Sequence, residues 1–505
     1  MTAQLICGEL RRSGDEVADR ALRLAGGLAR FGVEDGDVIA VMLRNGPAFI
    51  DAIQSCQIAG CFYCPINWHF KADEVAYLLN DSAAKVLIVE ADLLATLGDA
   101  VPAGVEVLVV DAGADDARDY ERWLAQQAPY DGPERTPRAH MAYTSGTTGR
   151  PKGVVRLAPP PELRAQMAEG MRELCRIAWG ITPGVRAMVT APLYHSAPTS
   201  FTQQAIQQAE TLVVMPRFDA EQTLALIAEH RIEVVYLVPI MYVRLLRLPA
   251  EVRAKYDLSS VRFVASTGAP CAPEVKQAML DWWGDVIFET YASSETGMVT
   301  LQDPQSARRK PGSVGRPIAD TRIRIVSEDG RECAVGEPGV IYVRQPMVPD
   351  FTYLNNDAAR SKAGLDDLAT VGDIGYLDAE GYLYVCDRQS DMVISGGVNI
   401  YPAEIEHVLI TLQGVTDCAV FGVPDAEYGE SLMAVVASPG GQVSGSQYRR
   451  LSASRWPATR CPSGLKWSTA CRAMTTARWP NGGCVTAGCR PPPDAARVAL
   501  QRWRG

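Results

Sequence analysis

The sequence predicts an α/β protein with a large N-terminal domain of mostly parallel sheets, flanking helices and a small β-rich subdomain. A small C-terminal α+β domain that is cut short is predicted to follow. Three observations support this. Short apolar runs alternate with helical segments up to about residue 312, alternating strands come next, and a last helix and strand precede residue 440. Strand–helix alternation favours parallel sheets covered by helices. The length of 505 residues corresponds to roughly three structural units.

Local patterns then predict the individual elements. Apolar residues at helical spacing, or a proline in the first turn, predict helices at residues 21–31, 47–59, 221–230 and 402–412. Apolar runs between turn residues predict buried strands at residues 37–43, 85–90, 105–110, 232–238 and 419–423. Alternating strands are predicted at residues 321–326, 339–343 and 381–386, with hairpin turns at Asp329-Gly330 and Glu380-Gly381.

Two further segments are interpreted from their polarity and from a proline. Residues 112–134 are polar and predict a surface excursion. The run at residues 234–243 is the longest apolar candidate, and Pro239 interrupts it, which predicts a buried strand followed by a turn.

The charge is distributed very unevenly along the chain. The net charge is −10. Residues 440–505 contain ten Arg, one Lys and one Asp, a net charge of +10, which leaves −20 for residues 1–439. An acidic body argues against a general nucleic-acid binder, because phosphate contacts need clustered Lys and Arg. The composition therefore indicates two joined segments of different character.

Three features of the sequence bear on where the protein is located in the cell. No apolar run reaches the ~20 residues that span a bilayer. The N-terminus lacks the basic start and apolar core of a signal peptide. Nine of the 13 cysteines are scattered through the body without metal-like pairs, which favours reduced thiols. We expect a cytoplasmic protein, with peripheral membrane contact and oligomeric state left open.

The strongest chemical signal is the segment Tyr143-Thr-Ser-Gly-Thr-Thr-Gly-Arg-Pro-Lys-Gly-Val154. Glycines let backbone N–H groups turn towards an anion, and the hydroxyls add further donors. Lys152 supplies a mobile positive charge for a phosphate. The Walker spacing is absent, so this is a different kind of phosphate-binding segment.

This segment resembles the phosphate loop of the adenylate-forming superfamily, which includes acyl-CoA synthetases, luciferases and peptide-synthetase adenylation domains. Further resemblances follow in the family's order over roughly residues 1–437, and they are closest to fatty-acyl and related CoA ligases. They are Tyr291-Ala-Ser-Ser-Glu-Thr-Gly297, Thr370-Val-Gly-Asp373 and the long segment from Asp387 to Glu406. The family joins a carboxylate to ATP, giving acyl-AMP and pyrophosphate, and CoA then displaces AMP.

The resemblance implies roles for particular residues. Lys152, Glu295 and His195 would be the catalytic residues, with Glu295 binding Mg2+, a cation that prefers oxygen ligands. His195 lies in Pro192-Leu-Tyr-His195, which resembles the family's acyl entrance, and a purely structural histidine is the alternative. Residues 236–246 would supply apolar pocket wall, or plain core. The implied nucleotide-binding residues are Thr144, Ser145, Gly146, Thr147, Thr148, Gly149, Gly268, Ala269, Pro270, Tyr291, Ser294, Asp373 and Arg388.

Within that set the chemistry is specific. Asp373 would accept hydrogen bonds from both ribose hydroxyls, and Arg388 would reach the ribose or α-phosphate. Tyr291 would stack on adenine opposite Gly268-Ala269-Pro270. Ser294 stands where the family usually has Thr and keeps the hydroxyl.

The domain boundary and the CoA side are also implied by the resemblance. Asp387 occupies the hinge position between the large domain, residues 1–386, and the small domain, residues 387–437. Rotation there would exchange the adenylation site for the thioester site. Gly396 and Gly397 would lie beside the CoA channel. Ser390 departs from the lysine that the family often has near this hinge.

The basic tail at residues 438–505 lacks the family's C-terminal lysine motif, Pro-x-x-x-x-Gly-Lys-x-x-(Lys/Arg)-Arg. Lys466 stands in Gly-Leu-Lys-Trp and does not match it. Joining the third base of each codon to the first two of the next, from Arg455 onward, permits a series that contains Phe-Glu-Val-Val-Asp-Ser-Leu-Pro and Asn-Gly-Lys-Met. We therefore expect a frameshifted tail that forms no core, and a genuinely divergent tail is the alternative.

Together these observations predict an ATP-, Mg2+- and CoA-dependent ligase that activates a fatty or similarly bulky hydrophobic carboxylic acid, impaired by loss of the lysine motif. Two alternatives remain open. One is an adenylating enzyme that passes the acyl group to a carrier protein, and the other is a non-catalytic AMP- or ATP-binding relic.

Overall fold

A computed structural model describes residues 3–113, 116, 118–144, 150–395, 398–412, 414–425, 428–437 and 466–470. It divides into two compact units. The first comprises Met1–Ala269, Lys276–Ile323 and Val343–Val371, and the second comprises Pro270–Val275, Arg324–Tyr342 and Gly372–Gly505. The secondary structure confirms the predicted α/β class.

The first unit contains most of the described helices. The first of these helices begins with a capping box, in which Ser13 accepts from the Glu16 N–H and the Glu16 carboxylate accepts from the Ser13 N–H. The helices are Gly14–Arg30, Pro47–Ala59, Ala72–Asp81, Ala91–Leu94, Tyr120–Ala125, Arg164–Trp179, Ser196–Gln208, Ala220–His230, Pro239–Leu246, Ala250–Arg253, Pro304–Arg309 and Asp357–Lys362, with short 3-10 turns at Gly98–Ala100 and Pro161–Leu163. The helix Pro273–Trp283 begins in the second unit and ends in the first.

The main sheet of the first unit has nine strands. Six neighbouring strands in its centre are parallel, and the strands at both edges are antiparallel. In spatial order they are Arg316–Pro317, Gly297–Gln302, Ile287–Ser293, Phe263–Ser266, Val234–Leu237, Arg186–Val189, Thr211–Val214, Gln4–Cys7 and Leu10–Ser13. Ligands of such sheets bind at the carboxyl ends of the parallel strands, so a binding site is expected at that edge.

Smaller sheets complete the first unit. Four parallel strands lie in the order Phe62–Pro65, Val38–Met42, Val86–Glu90 and Glu106–Val110. Three antiparallel strands lie in the order Phe351–Tyr353, Lys152–Arg156 and Ala142–Thr144. The short strands Gly364–Leu365 and Leu368–Ala369 form a hairpin, and Val343 pairs with Ala369.

The second unit contains the β-rich segment and the small α+β segment. Strand Asp373–Leu377 pairs with Leu383–Arg388 through the predicted turn at Glu380-Gly381. On its other side, Gly339 pairs with Gly375 and Val340 with Ile374. The chain crosses between units within the strands Arg322–Val326 and Gly339–Arg344. A separate sheet runs in the order Val398–Ile400, Val393–Ser395, Gly429–Ala437 and Asp417–Asp425, with Lys466–Ala470 parallel to Gly429–Ala437 and the helix Pro402–Ile410 packed against Asp417–Asp425.

The polar segment at residues 112–134 lies mostly at the surface, as predicted, and it contains the helix Tyr120–Ala125, which Asp119 caps and which buries Tyr120 and Leu124. One expectation was wrong. The segment after Pro239 is a helix, Pro239–Leu246, and not a turn, because proline is well tolerated at the first helical position. Among the described residues, no helix combines the length and apolar character needed to cross a membrane. The nine body cysteines are free thiols.

Candidate active site

The segment predicted to bind phosphate is framed by an antiparallel hairpin. Strands Ala142–Thr144 and Lys152–Arg156 pair so that Thr144 lies opposite Lys152. The Lys152 Nζ stands 5.1 Å from the centre of the Tyr353 ring, within the range of a cation–π contact. The predicted residues between the strands, Ser145, Gly146, Thr147, Thr148 and Gly149, lie outside the described residues.

Glu295 connects this hairpin to a distant part of the first unit. Its carboxylate Oε1 accepts hydrogen bonds from the Thr144 hydroxyl at 3.0 Å and from the Tyr353 hydroxyl at 3.2 Å. Glu295 and Tyr353 are both only 6 % exposed. Burial, with the Glu295 charge adding to it, raises the pKa of Tyr353, so this hydroxyl remains a donor at neutral pH. The carboxylate therefore has a defined position next to the predicted phosphate site.

The residue before Glu295 is held by two further contacts. The Ser294 hydroxyl lies 2.6 Å from the Ser196 hydroxyl, and the Ser294 carbonyl accepts a hydrogen bond from the Arg156 guanidinium at 2.5 Å. Ser196 is the first residue of the helix Ser196–Gln208. The hydroxyl that Ser294 keeps in place of the family's threonine thus has a partner within the protein.

The predicted adenine-binding residues in the first unit lie at the carboxyl ends of neighbouring parallel strands. Strands Phe263–Ser266 and Ile287–Ser293 are paired, and the Thr267 hydroxyl donates to the Thr290 carbonyl at 2.6 Å. Gly268 and Tyr291 follow these two residues directly. Gly268 has a φ of +95°, which favours glycine, and a Cβ there would meet only Val238 Cγ1, at 3.9 Å.

The two units divide the rest of the predicted adenine wall. Ala269 ends the first segment of the first unit, and Pro270 is the first residue of the second unit.

His195 follows the strand Arg186–Val189 and precedes the helix Ser196–Gln208 directly. Its ring lies 4.4 Å from that of Tyr194, centre to centre, and Tyr194 contacts Trp68 edge to face at 6.4 Å. Burial, with a smaller contribution from His69, lowers the pKa of His195 to about 4. The imidazole is therefore neutral at physiological pH and lies in an aromatic environment.

Residues 236–246 behave mainly as core. Tyr236 is 1 % exposed, and its ring packs on Phe201 with centres 5.4 Å apart. The Thr190 hydroxyl donates to the Tyr236 carbonyl at 2.7 Å and ties two parallel strands together at their carboxyl ends. These contacts favour the core interpretation for Tyr236, and the pocket-wall role stays a prediction.

Asp373 and Arg388, the predicted ribose-binding residues, belong to the second unit. They pair directly across the antiparallel strands Asp373–Leu377 and Leu383–Arg388. The Arg388 Nε lies 3.4 Å from the Asp373 Oδ1, with Asp373 8 % exposed and the Arg388 side chain 53 % exposed. The pair can thus present one carboxylate and one guanidinium on the same side of the hairpin.

Asp387, the predicted hinge, is anchored on both of its oxygens. Oδ1 accepts from the Arg388 N–H at 2.8 Å, and Oδ2 accepts from the Ala403 N–H at 3.0 Å. Ala403 lies in the first turn of the helix Pro402–Ile410, whose N-cap residue Tyr401 makes no side-chain capping bond. Asp387 therefore caps this helix from a neighbouring strand. Gly396 and Gly397, predicted beside the CoA channel, lie outside the described residues.

Two residues at this site were missed in the sequence. Tyr353 donates to Glu295, and Arg156 donates to the Ser294 carbonyl and, at 2.9 Å, to the Pro349 carbonyl. Arg156 could have been suspected, because a cation at the end of the otherwise apolar run Val154–Val155 needs a partner. No sequence signal distinguishes Tyr353 from other strand tyrosines.

The donor set around Glu295 fits Mg2+ only as a partly protein-bound ion. Among the described residues, no group of three or more His, Cys, Asp or Glu side chains is placed to hold a metal. Mg2+ commonly uses one or two carboxylates together with substrate phosphates and water. A single buried carboxylate beside a phosphate-binding segment is compatible with that arrangement.

A mostly parallel sheet with Gly268, Tyr291 and His195 near the carboxyl ends of its strands has the architecture of α/β proteins that bind ligands at that edge. The chain belongs to the AMP-binding enzyme family, which it matches over residues 3–349, and residues 404–456 match the AMP-binding enzyme C-terminal domain.

Two curated relatives and one solved structure illustrate the similarity. An indoleacetate–CoA ligase from Aromatoleum aromaticum is 33% identical over 432 residues, which cover 83% of this chain and 82% of the relative. A long-chain-fatty-acid–CoA ligase from Mycobacterium tuberculosis is 32% identical, covering 85% and 83%. ATP-bound MatB from Rhodopseudomonas palustris is 26% identical with a TM-score of 0.78, covering 92% of both chains.

Proposed function

We propose that this chain is an AMP-forming acyl-CoA ligase that activates a hydrophobic carboxylic acid. The observation that carries the proposal is the position of Glu295. Its carboxylate accepts a hydrogen bond from the hydroxyl of Thr144, at the start of the glycine- and hydroxyl-rich segment. Lys152 pairs with Thr144 across the hairpin. Both similar ligases named above form CoA thioesters of acids with a large apolar body, which supports the substrate class.

The proposed reaction has two steps. A carboxylate oxygen of the acid attacks the α-phosphorus of ATP, and pyrophosphate leaves. The CoA sulfur, having lost its proton, then attacks the acyl carbonyl carbon, and AMP leaves with the carboxylate oxygen. Mg2+, when bound, offsets charge on the phosphates.

The protein's own residues would bind and orient these groups. Lys152 and the backbone N–H groups of residues 145–149 would hold phosphate oxygens. Asp373 would accept from the ribose hydroxyls while Arg388 stabilises negative charge at the ribose or α-phosphate. Tyr291 and the backbone from Gly268 onward would enclose the adenine.

The acid would lie next to His195. A neutral imidazole carries no net charge, and it offers one hydrogen-bond donor and one acceptor to a carboxylic substrate. The aromatic rings of Trp68 and Tyr194 nearby favour an apolar acyl body.

We also propose that the domains divide at Asp387 and that part of the tail at residues 438–505 is read in a shifted frame. The match to the C-terminal domain family runs to residue 456 in the frame as given, which supports a shift that begins near Arg455 rather than at residue 438. The third base of the Leu465 codon and the bases that encode the strand Lys466–Ala470 permit Glu-Val-Val-Asp-Ser in the shifted frame. The rest of the tail, at residues 438–465 and 471–505, lies outside the described residues.

The test compares this chain with a frame-restored version. Each is incubated with ATP, Mg2+, CoA and a panel of aromatic and aliphatic acids, and acyl-CoA and acyl-AMP are measured by mass spectrometry. We expect acyl-CoA from the restored chain and weak or no acyl-AMP from the present chain, because the C-terminal lysine would stabilise charge at the α-phosphate. Equal pyrophosphate exchange by the two chains would contradict the proposed impairment.

The same experiment separates the alternatives. Acyl-AMP without acyl-CoA would favour transfer to a carrier protein, and nucleotide binding without turnover in both chains would favour a relic. Sequencing the coding DNA tests the frame itself.

A matched pair of variants tests the site. Glu295→Gln in the restored chain keeps the size of the side chain and an acceptor for Thr144 and Tyr353, but removes the charge. We expect a fall in adenylation of roughly 100-fold, the size seen when one preorganised electrostatic group is removed. Glu233→Gln removes a carboxylate that is hydrogen-bonded to the Arg186 N–H just before the strand Val234–Leu237, at the amino ends of the parallel strands. It is the control and should change activity less than about twofold.

A further inference from the structure

Arg156 makes contacts that have no role in the reaction proposed above. It ends the strand that Lys152 begins, and its guanidinium donates to the Ser294 carbonyl at 2.5 Å and to the Pro349 carbonyl at 2.9 Å. The guanidinium lies 5.9 Å from the centre of the Phe351 ring. Burial lowers the pKa of Arg156 to about 10, although Glu295 and Asp350 oppose this shift, so the side chain is charged at neutral pH.

The two carbonyls lie at informative places. The Ser294 carbonyl belongs to the peptide bond that joins Ser294 to Glu295, so a bond to it restrains the peptide plane from which the Glu295 side chain projects. The Pro349 carbonyl lies just before the strand Phe351–Tyr353, whose last residue donates to Glu295. Arg156 thus bridges the two segments that together determine the position of the Glu295 carboxylate.

The same strand carries the predicted phosphate-binding lysine. Lys152 and Arg156 are four residues apart, so they project from the same face of the strand. Lys152 lies over the Tyr353 ring, while Tyr353 and Thr144 both donate to Glu295 Oε1. Lys152 and Glu295 therefore both contact Tyr353, and Arg156 lies on the same strand as Lys152.

We propose that Arg156 is a positioning residue that, together with Tyr353, orients the Glu295 carboxylate so that Oε1 stays within the protein and Oε2 meets the metal–phosphate group of ATP. This rests on the proposed function. It deepens that function by assigning the metal-dependent part of ATP binding to a clamp on the Ser294–Glu295 peptide. A lysine would replace the guanidinium only in part, because it lacks the rigid fork that reaches two carbonyls at once.

The consequence is a selective loss. AMP shares the adenine and ribose with ATP but needs no metal-bound phosphate tail. A displaced Glu295 carboxylate should weaken MgATP and leave AMP unaffected, whereas a general folding defect would weaken both or reduce the fraction of protein that binds.

The experiment measures the dissociation constants of MgATP and AMP by calorimetry on the full chain. It compares the wild type with Arg156→Met, Arg156→Lys and Tyr353→Phe. The matched control is Arg138→Met, because Arg138 likewise donates to a backbone carbonyl, that of Gly60 at 2.9 Å, and lies 5.1 Å from the ring of Phe62. Removing a residue that hydrogen-bonds to a metal ligand typically changes the affinity for the metal 10–100-fold.

We expect Arg156→Met to weaken MgATP at least about 10-fold and AMP less than twofold. Arg156→Lys and Tyr353→Phe should shift the same ratio to a smaller extent, and Arg138→Met should leave it unchanged. A wild type that does not bind MgATP overturns the proposed function and this inference with it. A wild type that binds, with the ratio unaltered in Arg156→Met, overturns this inference alone. If Arg156→Met does not fold, an unaltered ratio in both Tyr353→Phe and Arg156→Lys overturns it equally.

Discussion

Replacing Asp387 by alanine is expected to loosen the start of the helix Pro402–Ile410. Pro402 has no N–H, so the first donor of the helix with an available hydrogen is that of Ala403, and its partner is the Asp387 Oδ2 at 3.0 Å. The N-cap residue Tyr401 supplies no side-chain acceptor. Asp387 is 8 % exposed, so water replaces its carboxylate poorly.

The magnitude follows from two contributions. Loss of a capping acceptor costs about 1 kcal/mol, and loss of a negative charge at a helix N-terminus costs roughly another 0.3–1 kcal/mol. A total of about 2 kcal/mol corresponds to a factor of about 30 in the equilibrium for local opening. Asp387→Asn keeps one acceptor but not the charge, and should cost about half as much.

Hydrogen exchange followed by NMR measures this directly at one amide. We expect the Ala403 amide to exchange about 30-fold faster in Asp387→Ala and about fivefold faster in Asp387→Asn. Glu380→Ala, in the exposed hairpin turn of the same unit, is the control and should leave that amide within twofold of the wild type. Protection at Ala403 that is unchanged in Asp387→Ala would refute the capping role. The hinge proposal would then lose the contact that fixes Asp387 to the small domain.

Three further predictions concern stability, each measured as the midpoint of urea unfolding. Asp51 is fully buried and accepts from Arg12, Arg20 and Tyr120, so Asp51→Asn should cost about 3 kcal/mol, whereas Asp19→Asn, in an exposed pair with Arg23, should cost under about 0.5 kcal/mol; equal losses would contradict this. Burial, reinforced by Arg156, lowers the pKa of His140 from 6.5 to about 4. The unfolded state therefore binds more protons between these values, and stability is full above pH 6.5 and falls as the pH drops through that window. His140→Gln should make the fall shallower, and parallel pH curves would exclude this source. Gly315 has a φ of +94°, and a Cβ there would lie 2.1 Å from the Leu301 backbone, so Gly315→Ala should cost roughly 2–4 kcal/mol; a cost below 1 kcal/mol would show that the backbone relaxes.

Most of the fold could be predicted because its signals are local. The helix Pro47–Ala59 has the predicted bounds, and the strands Val38–Met42, Val86–Glu90 and Glu106–Val110 lie within the predicted runs. Apolar periodicity and turn residues determine such elements within a few positions. The one error, after Pro239, arose where a proline was taken as a break although the first position of a helix tolerates it.

The sequence by itself determined the α/β class, the order of the motifs, the family resemblance and the change of composition at the tail. These depend on residue type and spacing along the chain. Only the tertiary structure decided that Tyr353 and Arg156 support Glu295, that Ser196 binds the Ser294 hydroxyl and that Asp387 caps a helix. Thr144 and Glu295 are 151 positions apart, and Arg156 and Ser294 are 138 apart. Contacts at such separations leave no periodic trace in the sequence, because they exist only once the sheets have brought distant strand ends together.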